Sequence, residues 1–331
     1  MIEDLRNKLK NKKIIVICPK YFQYEQRIVN RLIELGSIVS YIDERPNNTS
    51  LSKLFIRLLP FLYSIKINAY YNKKIKGMIP CDIVIVINPE CLTLNILNHV
   101  KTVTKASKYI LYMWDSFFNK KRAKKIISFF DKVLTFDPDD ANNLNIIFRP
   151  LFFCFEKRDN TKKQETIDIS FVGTGHSDRA KIIKIVEEEC EKLNLKYFFY
   201  LYFQTPFIYL FYKITNKSFK GIKSKYFYYK PIKYNDYIAI SEISKVIIDI
   251  EHPKQRGLTM RTFEALGKGK KLITTNNAIK NYGFYNDFNI LIIDRIKPII
   301  TKEFIERKYQ EISEELYYKH SIDGWLEDII S

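Results

Sequence analysis

"KVIIDIEHPKQRGLTMRTFEALGKGKKLITTN", residues 245–276, holds a strand, a loop, a helix and a second strand in one run. Lys245–Glu251 is apolar and rich in β-branched residues, the pattern of a fully buried strand. Pro253 and Gly257 mark a loop, a short helix begins near Thr259, and Lys271–Asn276 reads as the next strand. A strand that returns through a helix to another strand is the unit of a parallel sheet covered on both faces.

The same alternation runs through the chain. Ile14–Cys18 is a short buried strand, and Tyr24, Ile28, Leu32 and Leu35 follow at helical spacing until Gly36. Ser37–Asp43, Asp82–Asn88, Tyr109–Asp115 and Lys132–Asp137 read as further strands, with the basic "KKRAKK" on a helix between the last two. This half closes near Ile147–Phe153, and the charged stretch Glu156–Thr166 reads as a linker. Ile167–Gly173 opens a second half, with the polar turn Thr174–Asp178, a helix over Arg179–Leu193, an aromatic strand "YFFYLYF" and a strand at Asn289–Asp294. The expected architecture is α/β with two Rossmann-like halves, residues 1–152 and 153–300. A helical segment over 301–331 follows, with Phe304, Tyr309 and Leu316 as its buried positions.

Composition agrees with this. At 331 residues the chain has room for about two domains. Its 46% hydrophobic and 28% charged content excludes disorder, collagen and coiled coil as the main architecture. Five scattered cysteines without a CxxC pair argue against a disulfide framework or a zinc site and suit a reducing cytosol. The charged start, Met1–Lys13, lacks the apolar core of a signal peptide, and no run of about 20 apolar residues is present, so a soluble or peripheral protein is expected.

The net charge of +18 is local. Lys53–Lys76 carries six basic residues, Lys120–Lys125 five and Lys196–Tyr234 eight, and the first and last of these stretches hold no acid. Both interleave lysines with aromatic and apolar residues, the composition of an anionic membrane interface. Bases can stack on such rings as well. The third reading puts the aromatics in the core and the lysines in solvent.

Two places can hold an anion. Arg261 and Glu264 share a face of the helix after Gly257, at the carboxyl end of a strand where open sheets bind ligands. The arginine suits a diphosphate, and the carboxylate one turn on suits ribose hydroxyls; an Arg261–Glu264 ion pair is the alternative. Gly173, Thr174, Gly175 and His176 form a small-residue turn into a helix start, fit either for phosphate or for a tight turn capped by Ser177 or Asp178. Thr259 begins the first of these helices, and His252 is a phosphate or sugar contact or a structural histidine. "DPDD", Asp137–Asp140, contains a DxD that could hold a divalent cation, but a helix cap is the simpler reading.

"HPKQRGLTMRTFEALGKGKKLITTN", then "NYGFYNDFNILIID", preceded by "ISFVGTGHSDR", resembles the C-terminal half of GT-B glycosyltransferases of bacterial capsule and lipopolysaccharide clusters. The resemblance covers Ile167–Asp294; the first half is similar only in element order. It implies two domains facing a cleft, an acceptor in the first, a nucleotide-sugar donor in the second, and a last helix that crosses back. It also implies that Glu264 holds the ribose as the second glutamate of the family's E-x7-E motif, whose first position is Arg256 here. An arginine there suits a phosphate or a carboxylate-bearing sugar.

The implied activity is glycosyl transfer to a lipid-linked or polysaccharide acceptor in bacterial surface polysaccharide synthesis, at the cytoplasmic face of an anionic membrane. No metal, cofactor or nucleic acid is expected. An inverting transfer needs a base, and Asp115, Glu90 and Glu25 follow the N-terminal strands; Asp115 stands beside Trp114, which suits a sugar ring. A nucleotide-sugar epimerase and a non-enzymatic protein that binds polyanions or membranes are the competing readings.

Overall fold

A computed structural model describes residues 1–49, 52, 56, 60–154, 164–219 and 224–331. Lys53, Arg57, Lys220, Lys223 and most of the linker read at Glu156–Thr166 lie outside the described residues. The chain divides into two compact units, Met1–Cys154 with Ile322–Ser331, and Phe155–Ser321.

The first unit holds six parallel strands: β1 Lys13–Cys18, β2 Ile38–Asp43, β3 Ile83–Ile87, β4 Lys108–Met113, β5 Lys132–Thr135 and β6 Ile147–Phe148. Their order is β2-β1-β3-β4-β5-β6. The second holds β7 Ile167–Thr174, β8 Tyr197–Tyr202, β9 Phe227–Tyr228, β10 Ser244–Asp249, β11 Lys271–Thr274 and β12 Ile290–Ile292, all parallel, in the order β12-β11-β10-β7-β8-β9. Continuous β-branched runs such as "IIVIC" are buried throughout, as a sheet covered on both faces requires. In each sheet the strand order reverses once, between β1 and β3 and between β7 and β10, and such a reversal leaves a crevice at the carboxyl ends.

Local signals held where they were strong. The helix Tyr24–Glu34 buries Tyr24, Ile28 and Leu32, and Gly36 stops it at φ +92°, a conformation that favours glycine. Asp137 caps the helix Pro138–Leu144 by accepting from the N–H groups of Asp139 and Asp140 at 3.0 and 3.3 Å, the simpler reading of "DPDD".

Several expectations are corrected. The "KKRAKK" stretch is not an α-helix: a 3-10 helix begins only at Ala123, and Lys120 is buried against Glu90. β10 ends at Asp249, so Glu251 lies beyond the strand ladder. The strand read in "YFFYLYF" is β8, and a helix that the sequence reading did not assign, Pro206–Thr215, follows it with Thr205 as N-cap and Pro206 in its first turn. The basic helix Pro60–Lys76 turns Tyr63, Ile67, Tyr71 and Ile75 into the core, one residue every fourth position, while Lys66, Lys73, Lys74 and Lys76 face solvent. There the core reading of the aromatics holds. No helix among the described residues is long and apolar enough to cross a membrane.

The tail over 301–331 is shared between the units. Its helices Lys302–Glu306 and Glu314–His320 group with the second unit, where Phe304 is buried and Tyr309 and Leu316 are half-buried. The last helix, Ile322–Ile330, belongs to the first. Fully buried Trp325 stacks on Phe152 at 4.3 Å between centroids and meets Tyr112 edge-on at 5.1 Å. Asp323 receives two bonds from Arg31, at 2.6 and 2.8 Å. Lys108 and Lys132 donate to the carbonyls of Ile330 and Asp328 at 2.7 and 2.6 Å, closing the carbonyl-rich end of the helix. Trp325→Ala is expected to destabilise the protein by about 3–5 kcal/mol in urea unfolding; a loss below about 1 kcal/mol would show that the aromatic stack does not anchor the helix.

Candidate functional site

The strand reversal of the second unit gathers most of the residues singled out from sequence. Asp249 ends β10 and is buried. Its Oδ1 accepts from Arg261 Nη1 at 2.7 Å, and its Oδ2 from the hydroxyls of Thr259 and Thr262 at 2.7 and 2.9 Å. Arg261 Nη2 donates to the carbonyl of Val172 in β7, and the guanidinium lies over the Phe171 ring at 5.1 Å. Burial opposes the charge on Arg261, but Asp249, with Tyr237 and Glu264, outweighs it and raises its pKa. Both terminal nitrogens therefore serve the fold. Arg261 ties β7 to β10 under the start of the helix Met260–Gly267. Thr259 likewise gives its hydroxyl to Asp249 instead of capping the helix.

The glycines of the turn are small for the same reason. A Cβ on Gly173 would stand 2.9 Å from Arg261 Nη2, and one on Gly175 would overlap the Phe203 ring. The Gly175 N–H donates to the Tyr202 carbonyl at 2.8 Å. Protein atoms approach closely at both glycines. Exposed Thr174 gives its carbonyl to Arg179 Nη1 at 3.1 Å, and Arg179 Nε reaches the Ile250 carbonyl at 2.6 Å. Asp178 is the N-cap residue of the helix Arg179–Lys192, but its carboxylate takes two 2.9 Å bonds from Arg295. Arg295 also reaches Glu251 Oε1 at 2.7 Å, and Thr275 donates to Glu251 Oε2 at 2.5 Å. Burial pushes the Glu251 carboxyl up; the Thr275 bond and Arg295 pull it partly back.

Two histidines face each other across this edge, with ring centroids 5.7 Å apart. Burial first, then the charges of Arg179, His252 and Arg261, pushes His176 down to about 3, so the ring is neutral at pH 7. His176 Nδ1 lies 3.0 Å from the Ser177 hydroxyl, which also reaches the His176 carbonyl at 2.7 Å. Exposed His252 is also shifted down, by burial and then by Arg179. Its Nδ1 accepts from the Lys254 N–H at 3.2 Å, so its proton sits on Nε2, a donor. Arg256 is exposed on the same loop, whose backbone is held by a 3.1 Å bond from Asn276 Nδ2 to the Arg256 carbonyl. Glu264 is buried, and its Oε2 accepts from the Tyr237 hydroxyl at 2.6 Å.

Asp249, Glu251, Tyr237, Arg179 and Arg295 were missed in the sequence. The "DIE" at the end of β10 was a usable signal, because carboxylates closing a buried strand stand at the ligand-binding edge. Tyr237 lies on the helix Tyr234–Glu242, which the aromatic pattern hid.

In the first unit the three candidate bases differ. Buried Glu90 is held between Lys120 and Arg45, the latter at 2.6 Å, so it is an ion-pair partner rather than an available base. Glu25 is buried and accepts from the Tyr21 N–H at 3.0 Å. Asp115 accepts from the Ser116 N–H and Asn119 Nδ2, both at 2.9 Å, and its side chain is 34% exposed, against 7% for Glu90. Glu44, not anticipated, is fully buried; one oxygen accepts from the N–H groups of Glu90, Cys91 and Leu92. Burial pushes it up to about 7 against those backbone bonds. No group of three potential metal ligands occurs among the described residues.

No family model and no curated protein matches the chain. Solved structures do. α,α-Trehalose 6-phosphate synthase from Burkholderia multivorans aligns with a TM-score of 0.57 and 8% identity over 97% of this chain and 96% of that one. HepE of Anabaena, in complex with UDP and glucose, aligns at 0.56 and 8% identity over 97% and 98%. A glycosyltransferase from Rickettsia africae aligns at 0.51 and 13% identity over 97% of both chains. The fold is thus the two-domain α/β arrangement of GT-B glycosyltransferases.

Gly175→Ala is expected to cost about 1–3 kcal/mol in chemical unfolding, because the Phe203 ring has to move; an unchanged midpoint would show a looser turn. His176 binds its proton near pH 6.5 when unfolded and near 3 when folded, so the unfolded state takes up more protons on acidification. The contribution of His176 to stability is therefore full above pH 6.5 and is lost as the pH falls towards 3. His176→Asn is expected to flatten that fall in melting curves across this window, and parallel curves would place the titration elsewhere.

Proposed function

We propose that the protein transfers a glycosyl group from a nucleotide sugar to a saccharide or lipid-linked acceptor, in bacterial surface polysaccharide synthesis, without a metal in the donor chemistry. The observation that carries this is the buried Glu264 carboxylate, aimed by Tyr237 and placed one turn into the helix whose first N–H groups stand at the β7/β10 reversal. The fold shared with structures such as HepE, solved with UDP and glucose, supports the same reading.

In this proposal Glu264 accepts the ribose hydroxyls. His252, through Nε2–H, and Arg256 meet the diphosphate on the exposed loop, and the helix start adds its positive end. Arg261 acts as a positioning residue. The bond between the sugar's anomeric carbon and the diphosphate oxygen breaks, the diphosphate leaves with the electron pair, and the acceptor oxygen bonds to that carbon. For an inverting transfer Asp115 takes the acceptor's proton, being more exposed than Glu90 and less tied up in ion pairs. The arginine at position 256 suits a donor sugar that carries a carboxylate.

A thermal-shift panel of UDP-, GDP-, CMP- and dTDP-sugars tests this, since a ligand at 100 times its Kd adds about 2.7 kcal/mol of apparent stability. One nucleotide class is expected to raise the melting temperature. Glu264→Ala should abolish that rise while the ligand-free protein still folds cooperatively, and Tyr237→Phe should weaken binding by about three- to tenfold. Unchanged affinity in Glu264→Ala removes the ribose role. Conversion of a nucleotide sugar with no acceptor present would replace transfer by epimerisation.

A further inference from the structure

The helix Pro206–Thr215 buries none of its residues. Phe207, Leu210, Phe211 and Ile214 recur at i, i+3, i+4 and i+7, so they form one stripe, and they are 76%, 50%, 55% and 76% exposed. The opposite side is anchored: Tyr212 stacks on Phe219 at 5.5 Å, and Tyr209 meets Phe227 at 4.8 Å and Phe203 at 5.5 Å. Both ends are tied as well. Thr205 Oγ1 accepts from the Ile208 N–H at 3.2 Å, and Asn216 Nδ2 donates to the Ser177 carbonyl at 2.9 Å. The apolar stripe is therefore held outward by an ordered element, at the same sheet edge as the Gly173–Asp178 turn.

The sequence segment around it carries one sign of charge. No Asp or Glu occurs from Lys196 to Tyr234. Lys213 flanks the stripe on the helix, and Lys230 and Lys233 are exposed after β9. Ten residues are too few to span a bilayer but enough to lie in its surface.

We propose that this helix docks the second unit on an anionic lipid surface. Phe207, Leu210, Phe211 and Ile214 enter the boundary between headgroups and acyl chains, and Lys213, Lys230 and Lys233 meet anionic headgroups. A second copy of the chain fits less well, because a two-fold contact would press lysines against lysines. Single-stranded nucleic acid fits less well too, since Leu210 and Ile214 offer no ring on which a base can stack. The proposal is independent of the glycosyl-transfer reading.

The test uses the full chain and sedimentation with phosphatidylcholine vesicles, with and without phosphatidylglycerol. The protein is expected to pellet with the anionic vesicles, less so as salt rises. The fourfold variant Phe207→Ser, Leu210→Ser, Phe211→Ser, Ile214→Ser should lose at least about tenfold in partitioning with an unchanged melting temperature, because those side chains are exposed. In a second probe, Phe211→Trp should shift its emission to the blue on anionic vesicles and be quenched by brominated lipid. Equal partitioning of the fourfold variant, or no shift and no quenching, overturns the proposal. So does a wild-type dimer that the fourfold variant abolishes without any vesicle binding, or capture by single-stranded RNA but not by vesicles.

Discussion

Asp249 is a carboxylate at the end of a central strand, out of reach of bulk water, and such a charge persists only when it is paired and fully hydrogen-bonded. Arg261, Thr259 and Thr262 meet that demand. The consequences spread outward. The helix that supplies all three donors is pinned over the β7/β10 reversal. Arg261 can reach β7 only because position 173 has no side chain. Glu264 and Tyr237 then meet one turn further along the same helix. The electrostatics of one buried acid thus hold in place the helix that carries the candidate ribose contact.

The first unit solves the same problem at its own strand reversal with different groups. Glu44 gathers three backbone N–H groups of the loop after β3, and Arg45 and Lys120 clamp Glu90 beside it. In both units the carboxyl ends of the strands concentrate buried charge, because helices diverge there and backbone groups lose their ladder partners. Glu90 and Arg261 are engaged in ion pairs, whereas Asp115, His252 and Arg256 are more exposed.

The basic aromatic segments divide by helical phase. On Pro60–Lys76 the rings Tyr63 and Tyr71 fall on the face turned to the core, and the lysines cover the other. On Pro206–Thr215 the tyrosines pack inward while Phe207, Phe211, Leu210 and Ile214 turn out. Similar composition serves burial in one place and leaves an open apolar stripe in the other. Exposure of four apolar residues along about two turns of one ordered helix is unusual enough to mark an interaction surface.

Much of the fold was legible because the strands are short, continuous and β-branched, and a doubly covered parallel sheet requires that pattern. Ile14–Cys18, Asp82–Asn88 and Lys245–Glu251 announced themselves, as did the glycine stop at Gly36 and the Asp137 cap, since these depend on a few neighbouring residues. Pro206–Thr215 was hidden, although Thr205 and Pro206 carry a cap signal, because its aromatics mimic a strand. The partners of the site residues were beyond local reading. Asp249 meets Arg261 twelve positions on, and Tyr237 meets Glu264 across twenty-seven. Sequence determines which residues can be charged, helical or extended; tertiary structure alone decides which charges neutralise each other, because that depends on distances set by chain crossings remote in sequence.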